Sequence, residues 1–158
     1  MSLASLVKEG NLPSIGGVKM HIRWEAIILS ADLEWRRAVA QILSANGMDY
    51  ACASSIEDCK EIVARESVGL IFWDSHLADG TFRDLLHSIW PLDPRVRIVV
   101  VSHTDDWNED LETARMGAFG VIPFPCQPTD IEWVLSRAIR AERENAHSDH
   151  LLELLLHI

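Results

Sequence analysis

Cysteine is scarce in this 158-residue chain: Cys52, Cys59 and Cys126 show no CxxC spacing and leave one thiol over. A disulfide scaffold needs an even, denser set, so the thiols point to a reducing compartment. Basic residues are also few, with 14 Lys and Arg against 24 Asp and Glu and a formal net charge of −10. Gripping a phosphate backbone takes a basic face, so direct nucleic-acid binding by this chain is not expected. No apolar run approaches the roughly 20 residues that cross a bilayer. The N-terminal stretch lacks the continuous apolar segment of a secretion signal. No Gly-x-Ser-x-Gly elbow is present, so Ser102 beside His103 makes no case for a hydrolytic nucleophile and base. What is there is a globular balance, 48% apolar and 24% charged, in a length that suits one domain with a real core. A soluble, cytoplasmic protein is expected.

The first 22 residues hold Gly10, Pro13, Gly16 and Gly17 without sustained periodicity and read as a loose leader. From there the pattern is regular. Short apolar runs at 26–29, 50–53, 69–73, 97–101 and 120–122 suit strands. Those at 69–73 and 97–101 are almost continuously apolar, as strands covered on both faces must be. Between the runs the spacing turns helical. Trp35, Ala38, Val39, Ile42 and Leu43 share one face, with Asn46-Gly47 as a stop. Ile56, Cys59, Ile62 and Val63 follow Ser54-Ser55, a good capping position. Phe82, Leu85, Leu86 and Ile89 make a third stripe, closed by Trp90 and Pro91. A more polar fourth helix, from about Asp105 to Met116, is expected to turn Leu111, Ala114 and Met116 inward. Ile131, Val134, Leu135, Ala138 and Ile139 form the fifth stripe. Five strands alternating with five helices imply right-handed crossovers and a doubly wound parallel sheet, an α/β three-layer sandwich. Chemistry in such a fold gathers where loops leave the carboxyl ends of the strands, here at Ser30, Ser54, Asp74, Ser102 and Pro123.

Three of these strand ends carry a resemblance. Leu70-Ile71-Phe72-Trp73-Asp74, followed by Ser75-His76-Leu77-Ala78-Asp79-Gly80, then Ile98-Val99-Val100-Val101-Ser102, then Gly117-Ala118-Phe119-Gly120-Val121-Ile122-Pro123-Phe124-Pro125, resemble in order and spacing the receiver domain of bacterial two-component response regulators. The resemblance runs from about Ala26 to Glu142 and implies the flavodoxin-like (CheY-like) (βα)5 fold, followed by a C-terminal helical extension. It also implies roles. Asp74 stands where the family's aspartate accepts a phosphoryl group, Ser102 where a hydroxyl senses it, and Pro125 where a proline follows a cis bond. The family holds magnesium through an acidic pair after the first strand, the acceptor aspartate and a backbone carbonyl two residues on, which here is that of His76. A lysine before the proline pairs with the phosphoryl group.

Here the sequence departs from the pattern. The acidic-pair positions are Ser30 and Ala31, with Asp32 alone following; the lysine position is Phe124, and the aromatic switch position of the last strand is Val121. Magnesium, which wants several oxygen ligands, is expected to bind weakly. An aspartyl phosphate without the lysine loses a charge-assisted bond that contributes about 1.5–3 kcal/mol. The expectation is therefore a degenerate receiver, or pseudo-receiver, that is no enzyme and signals in a phosphorelay by regulated protein–protein contact. A conventional receiver phosphorylated on Asp74 is the alternative. A third reading is a metal-binding sensor built on Asp32, Asp74, His76 and His103, since mixed carboxylate and imidazole groups suit a transition metal.

The implied partners are a sensor histidine kinase and an output or partner domain, with a homodimer through the fourth and fifth helices. Trp107 and Trp133 are expected on that surface, where exposed aromatics favour interfaces. Residues 141–145 continue the fifth helix as a charged stretch, and 151–158 pack Leu and Ile almost all round, a surface that needs cover. The expected organisation is a leader at 1–22, a receiver-like domain at 23–143, and a helical extension or linker at 144–158.

Overall fold

Strand alternation builds the core. The computed structural model describes residues 14–15, 18–19, 25–75 and 79–157. Five parallel strands, β1 (Glu25–Leu29), β2 (Tyr50–Ala53), β3 (Val68–Asp74), β4 (Arg97–Ser102) and β5 (Gly120–Pro123), pair in the order β2-β1-β3-β4-β5. The helices are α1 (Leu33–Ala45), α2 (Ile56–Arg65), α3 (Phe82–Ile89), α4 (Trp107–Met116) and α5 (Pro128–Leu156). Successive strand residues face opposite sides of the sheet. Ala26, Ile28, Leu70, Phe72, Val99 and Val101 pack under α1 and α5. Ile27, Leu29, Ile71, Trp73, Ile98 and Val100 pack under α2 and α3. Every residue of β3 is buried, which is why its sequence is apolar without interruption until Asp74.

Helix starts are set by short polar side chains that answer the orphan amides of the first turn. Asp32 caps α1, accepting from the backbone N–H of Glu34 at 3.0 Å and of Trp35 at 3.2 Å. Ser55 caps α2 through the N–H of Asp58, Thr81 and Asp84 form a reciprocal box at α3, and Asp106 caps α4. At α5 the carboxylate of Asp130 accepts the Gln127 N–H at 2.8 Å. Gly117 ends α4 with φ of 121°, a region that favours glycine, and a Cβ there would sit 2.5 Å from the Trp90 ring.

Two expectations about helix faces are corrected. Ala38 is exposed; Trp35, Val39 and Leu43 bury the α1 face, and a lone methyl in water costs little. Leu111 and Ala114 are also exposed, and α4 buries no residue fully. Asp110 and Thr113 turn inward instead, in line with Met116, which faces the core as expected; each of the three is half-buried. With so polar an inner face, α4 rests loosely on the sheet and leaves a cleft of about 640 Å³ lined in part by Trp73, Phe82, Val100 and Met116.

The leader at 1–22 falls almost wholly outside the described residues; Ser14–Ile15 pairs antiparallel with Val18–Lys19. At the other end α5 runs unbroken for 29 residues, and Leu151, Leu152, Leu154, Leu155 and Leu156 are all exposed on it. Among the described residues no helix is long and apolar enough to cross a membrane.

The core predicts thiol reactivity. Burial, with Asp58 adding to it, pushes the Cys59 thiol up to about 12. The thiolate is the reactive form, so at pH 8 Cys59 should resist a maleimide in the folded chain and react once denaturant unfolds it. Mass spectrometry after timed labelling will report this directly, with the exposed Cys52 modified ahead of Cys59.

Candidate functional site

The register of β3 against its neighbours decides what meets at the sheet edge. Leu29 lies opposite Trp73, and Asp74 lies opposite Val101. The carboxyl ends of β1, β3 and β4 therefore stop at nearly one level, and Ser30, Asp74 and Ser102 come together there. All three are buried polar residues that follow the apolar middle of their strands.

Asp74 is 5% exposed, so its carboxylate needs partners in place of water. It has them on both oxygens. The Ser30 hydroxyl donates to Oδ2 at 2.8 Å, and His103 Nε2 stands 2.6 Å from Oδ1. The second contact is a hydrogen bond that becomes an ion pair when the imidazole is protonated. Ser30 is itself held: it accepts the Asp32 N–H on Oγ at 3.0 Å, and its carbonyl accepts Arg36 Nε at 2.6 Å. His103 is fixed from two sides as well. Its backbone N–H donates to Ser75 Oγ at 3.3 Å, and its ring stacks on Phe124 with centroids 4.1 Å apart and planes 26° from parallel. Phe124 reaches that stack because its N–H is tied to the Ser102 carbonyl at 2.9 Å; the Phe124–Pro125 peptide bond is cis.

Ser102 sits one strand over from Asp74 and points elsewhere. Its hydroxyl donates to Asp110 Oδ1 at 2.8 Å, linking β4 to the half-buried face of α4. Ala31 is exposed and contributes no ligand. Asp32, the acid that follows Ser30 and Ala31 in the chain, spends its Oδ1 on the α1 cap. Asp79, of the Asp-Gly pair, accepts the Ile56 N–H with its Oδ2. Val121 is half-buried against the α2–α3 side of the core. His76 lies outside the described residues.

Magnesium does not fit this set. It wants an octahedron of hard oxygens, usually one or two carboxylates with waters. Among the described residues Asp74 brings one carboxylate to this set, and the hydroxyl of Ser30 and the imidazole of His103 are bonded to it. Among the described residues no group of three His, Cys, Asp or Glu side chains could hold a metal ion.

The contact least legible in the sequence is that between His103 and Asp74. Position gave the one signal: His103 follows Ser102 at a strand end that faces the same crevice. The stack on Phe124 joins two loops that sequence spacing cannot bring together.

Residues 27–136 match the family described as the response regulator receiver domain. The chain belongs to that family. This receiver is similar to the response regulator protein PilR of Pseudomonas aeruginosa, at 23% identity over 133 residues. The match takes in 82% of the chain but 30% of PilR, so the chain spans under a third of that relative's length. Among solved structures it is similar to NtrX from Brucella abortus in complex with ATP, with a TM-score of 0.74 and 20% identity over 82% of this chain and 30% of that one. It is also similar to a CheY-like receiver domain protein from Methanospirillum hungatei, with a TM-score of 0.68 and 21% identity over 78% of this chain and 99% of that one. The receiver fold is thereby the flavodoxin-like, CheY-type one.

The receiver's Asp74–His103 contact is measurable. His103→Ala leaves a buried carboxylate oxygen without its imidazole partner and should cost about 1–3 kcal/mol. Asp74→Asn removes the charge that needs answering, so His103→Ala should cost less in that background. A double-mutant cycle by urea denaturation is expected to give a coupling of about 0.5–3 kcal/mol. Additive single effects would mean the contact contributes nothing.

Proposed function

We propose that this receiver is a signalling module of a two-component phosphorelay that acts by regulated protein–protein contact, with magnesium-dependent aspartyl phosphorylation impaired or absent. Asp74 carries this reading: its two oxygens are engaged by Ser30 and His103, the groups that stand where a metal and an incoming phosphoryl group would have to enter. Phe124 occupies the position where the family carries a lysine to neutralise the phosphoryl group, and its ring packs on the imidazole. Ser102, the hydroxyl that would sense the group, is committed to Asp110. On this reading the chain is a pseudo-receiver and no enzyme, and works in the cytoplasm.

The partners fitting such a module are a sensor histidine kinase and an output or partner domain, with a homodimer through the fourth and fifth helices. Trp107, 71% exposed, and Trp133, 55% exposed, lie on those helices and supply the aromatic surface that interfaces favour. We assign residues 23–143 to the receiver unit, 1–22 to a leader and 144–158 to an extension toward a further module.

The test is a magnesium titration of tryptophan fluorescence with and without beryllium fluoride, a mimic of the phosphoryl group, with Asp74→Asn as control. Trp73, next to Asp74, reports on the site. A flat response from the folded protein is expected. A saturable change that requires beryllium fluoride and disappears in Asp74→Asn would establish a conventional receiver instead, with Asp74 as acceptor. Grafting Ser30→Asp, Ala31→Asp and Phe124→Lys together with His103→Ala should bring the response into a chain that lacked it.

A further inference from the structure

At the opposite, amino-terminal edge of the sheet, the charge balance of the chain is locally reversed. A cleft of about 570 Å³ is lined by Arg95, Arg97 and Arg137, with Trp90, Phe119 and Asn145 among its walls. These are three of 14 basic residues in a chain of net charge −10. Arg97 opens β4, and Phe119 immediately precedes β5, so the strand ends themselves place the guanidinium groups.

The counter-charge in the cleft is incomplete. Arg97 pairs with Glu142 at 2.8 Å, and Arg95, itself highly exposed, has Asp93 at 3.6 Å. Arg137 has no acidic partner within ion-pair distance among the described residues. It is held instead by contacts that keep its charge. Its guanidinium lies 4.7 Å from the Phe119 ring centroid and 4.6 Å from that of Trp133, and Nη1 donates to the Phe119 carbonyl at 3.3 Å. Arg97 approaches the same phenyl ring at 5.7 Å. Two like charges thus flank one aromatic ring with a single carboxylate, Glu142, bound to one of them. An arginine has five N–H donors in a planar fork, and Arg137 spends one of them on the Phe119 carbonyl. Fixed in plane and short of a counter-ion, it is prepared for a bidentate oxyanion.

We infer that this cleft binds a small multivalent oxyanion of the diphosphate class, gripped by Arg137 and Arg97, with Arg95 at the rim. Such an anion competes with Glu142 for Arg97. Glu142 and Asn145 lie on α5 where it leaves the sheet for its exposed leucine-rich end. Occupancy is therefore felt at the root of that helix, far from Asp74.

The experiment is titration calorimetry of the intact chain with sodium pyrophosphate, in low-chloride buffer stripped of divalent cations. Saturable one-to-one binding is expected, and it should weaken as chloride is raised. Arg137→Gln should weaken it roughly ten- to hundredfold, the loss of a bidentate charge-assisted pair, and Arg137→Lys should restore it only in part. Arg140→Gln, on the same helix but outside the cleft, and Asp74→Asn, at the other edge, should leave it unchanged. Should Arg137→Gln fail to fold, Arg95→Gln removes an exposed rim charge that no core contact depends on, and must still weaken binding. No saturable heat would overturn the proposal. So would equal weakening by Arg140→Gln, the mark of general charge attraction, or loss in Asp74→Asn, the mark of binding in the other crevice.

Discussion

A carboxylate taken out of water has to be answered by donors or by charge, and much of this receiver's site follows from how Asp74 is answered. The residue is the last of a seven-residue strand buried along its whole length. Its position is fixed by the sheet, since β3 is hydrogen-bonded to β1 on one side and β4 on the other. The backbone that carries the carboxylate cannot move without breaking that register. What can vary is the set of groups brought to meet it by the neighbouring strand ends. Here those groups are a hydroxyl from the end of β1 and an imidazole from the end of β4.

That pair of partners has a structural consequence beyond Asp74. A carboxylate answered by a cluster of acids and a metal would remain open, because metal ligands leave room for water and substrate. A carboxylate answered by Ser30 and His103 is closed by side chains. The closure is reinforced from outside: Phe124 stacks on the imidazole, Arg36 ties down the carbonyl of Ser30, and Asp32 is held at the start of α1 by the amides it caps. Each contact is modest alone. Together they bind the loops after β1, β4 and β5 into one connected edge, and such buried networks are worth most when every member is satisfied.

Much of this could be read from the sequence, for a reason that also marks the limit. Strands and helices are written in local periodicity, so the unbroken apolar run before Asp74 and the stripes of Trp35, Val39 and Leu43 or Phe82, Leu85 and Leu86 are legible at short range. The departures at Ser30, Ala31 and Phe124 are legible too, because they are identities at counted positions. What was not legible is rotamer choice. The sequence shows that Ser102 and His103 share a strand end, but not that the hydroxyl turns to Asp110 while the imidazole turns to Asp74. Nor does the pattern of α4 reveal its inner face. Leu111 and Ala114 are the apolar residues there, yet the helix turns Asp110, Thr113 and Met116 to the sheet, because the hydroxyl of Ser102 offers Asp110 a partner that the leucine could not use.

The polar docking of α4 bears on how such a module could respond at all. A helix held by apolar packing moves only at the cost of opening a cavity, of order a few kcal/mol for a large side chain. A helix with no fully buried residue, seated over a cleft and bonded to the sheet through Ser102 and Asp110, gives up less packing when it shifts. The tie begins at Ser102, and the next residue along the chain is the one whose imidazole meets Asp74. The groups that meet Asp74 and Asp110 are thus carried by adjacent residues of one strand end. The core under α2, α3 and α5 is packed by large buried side chains and has no such freedom. Among the five helices α4 is the one that buries no residue fully, so packing opposes its displacement least.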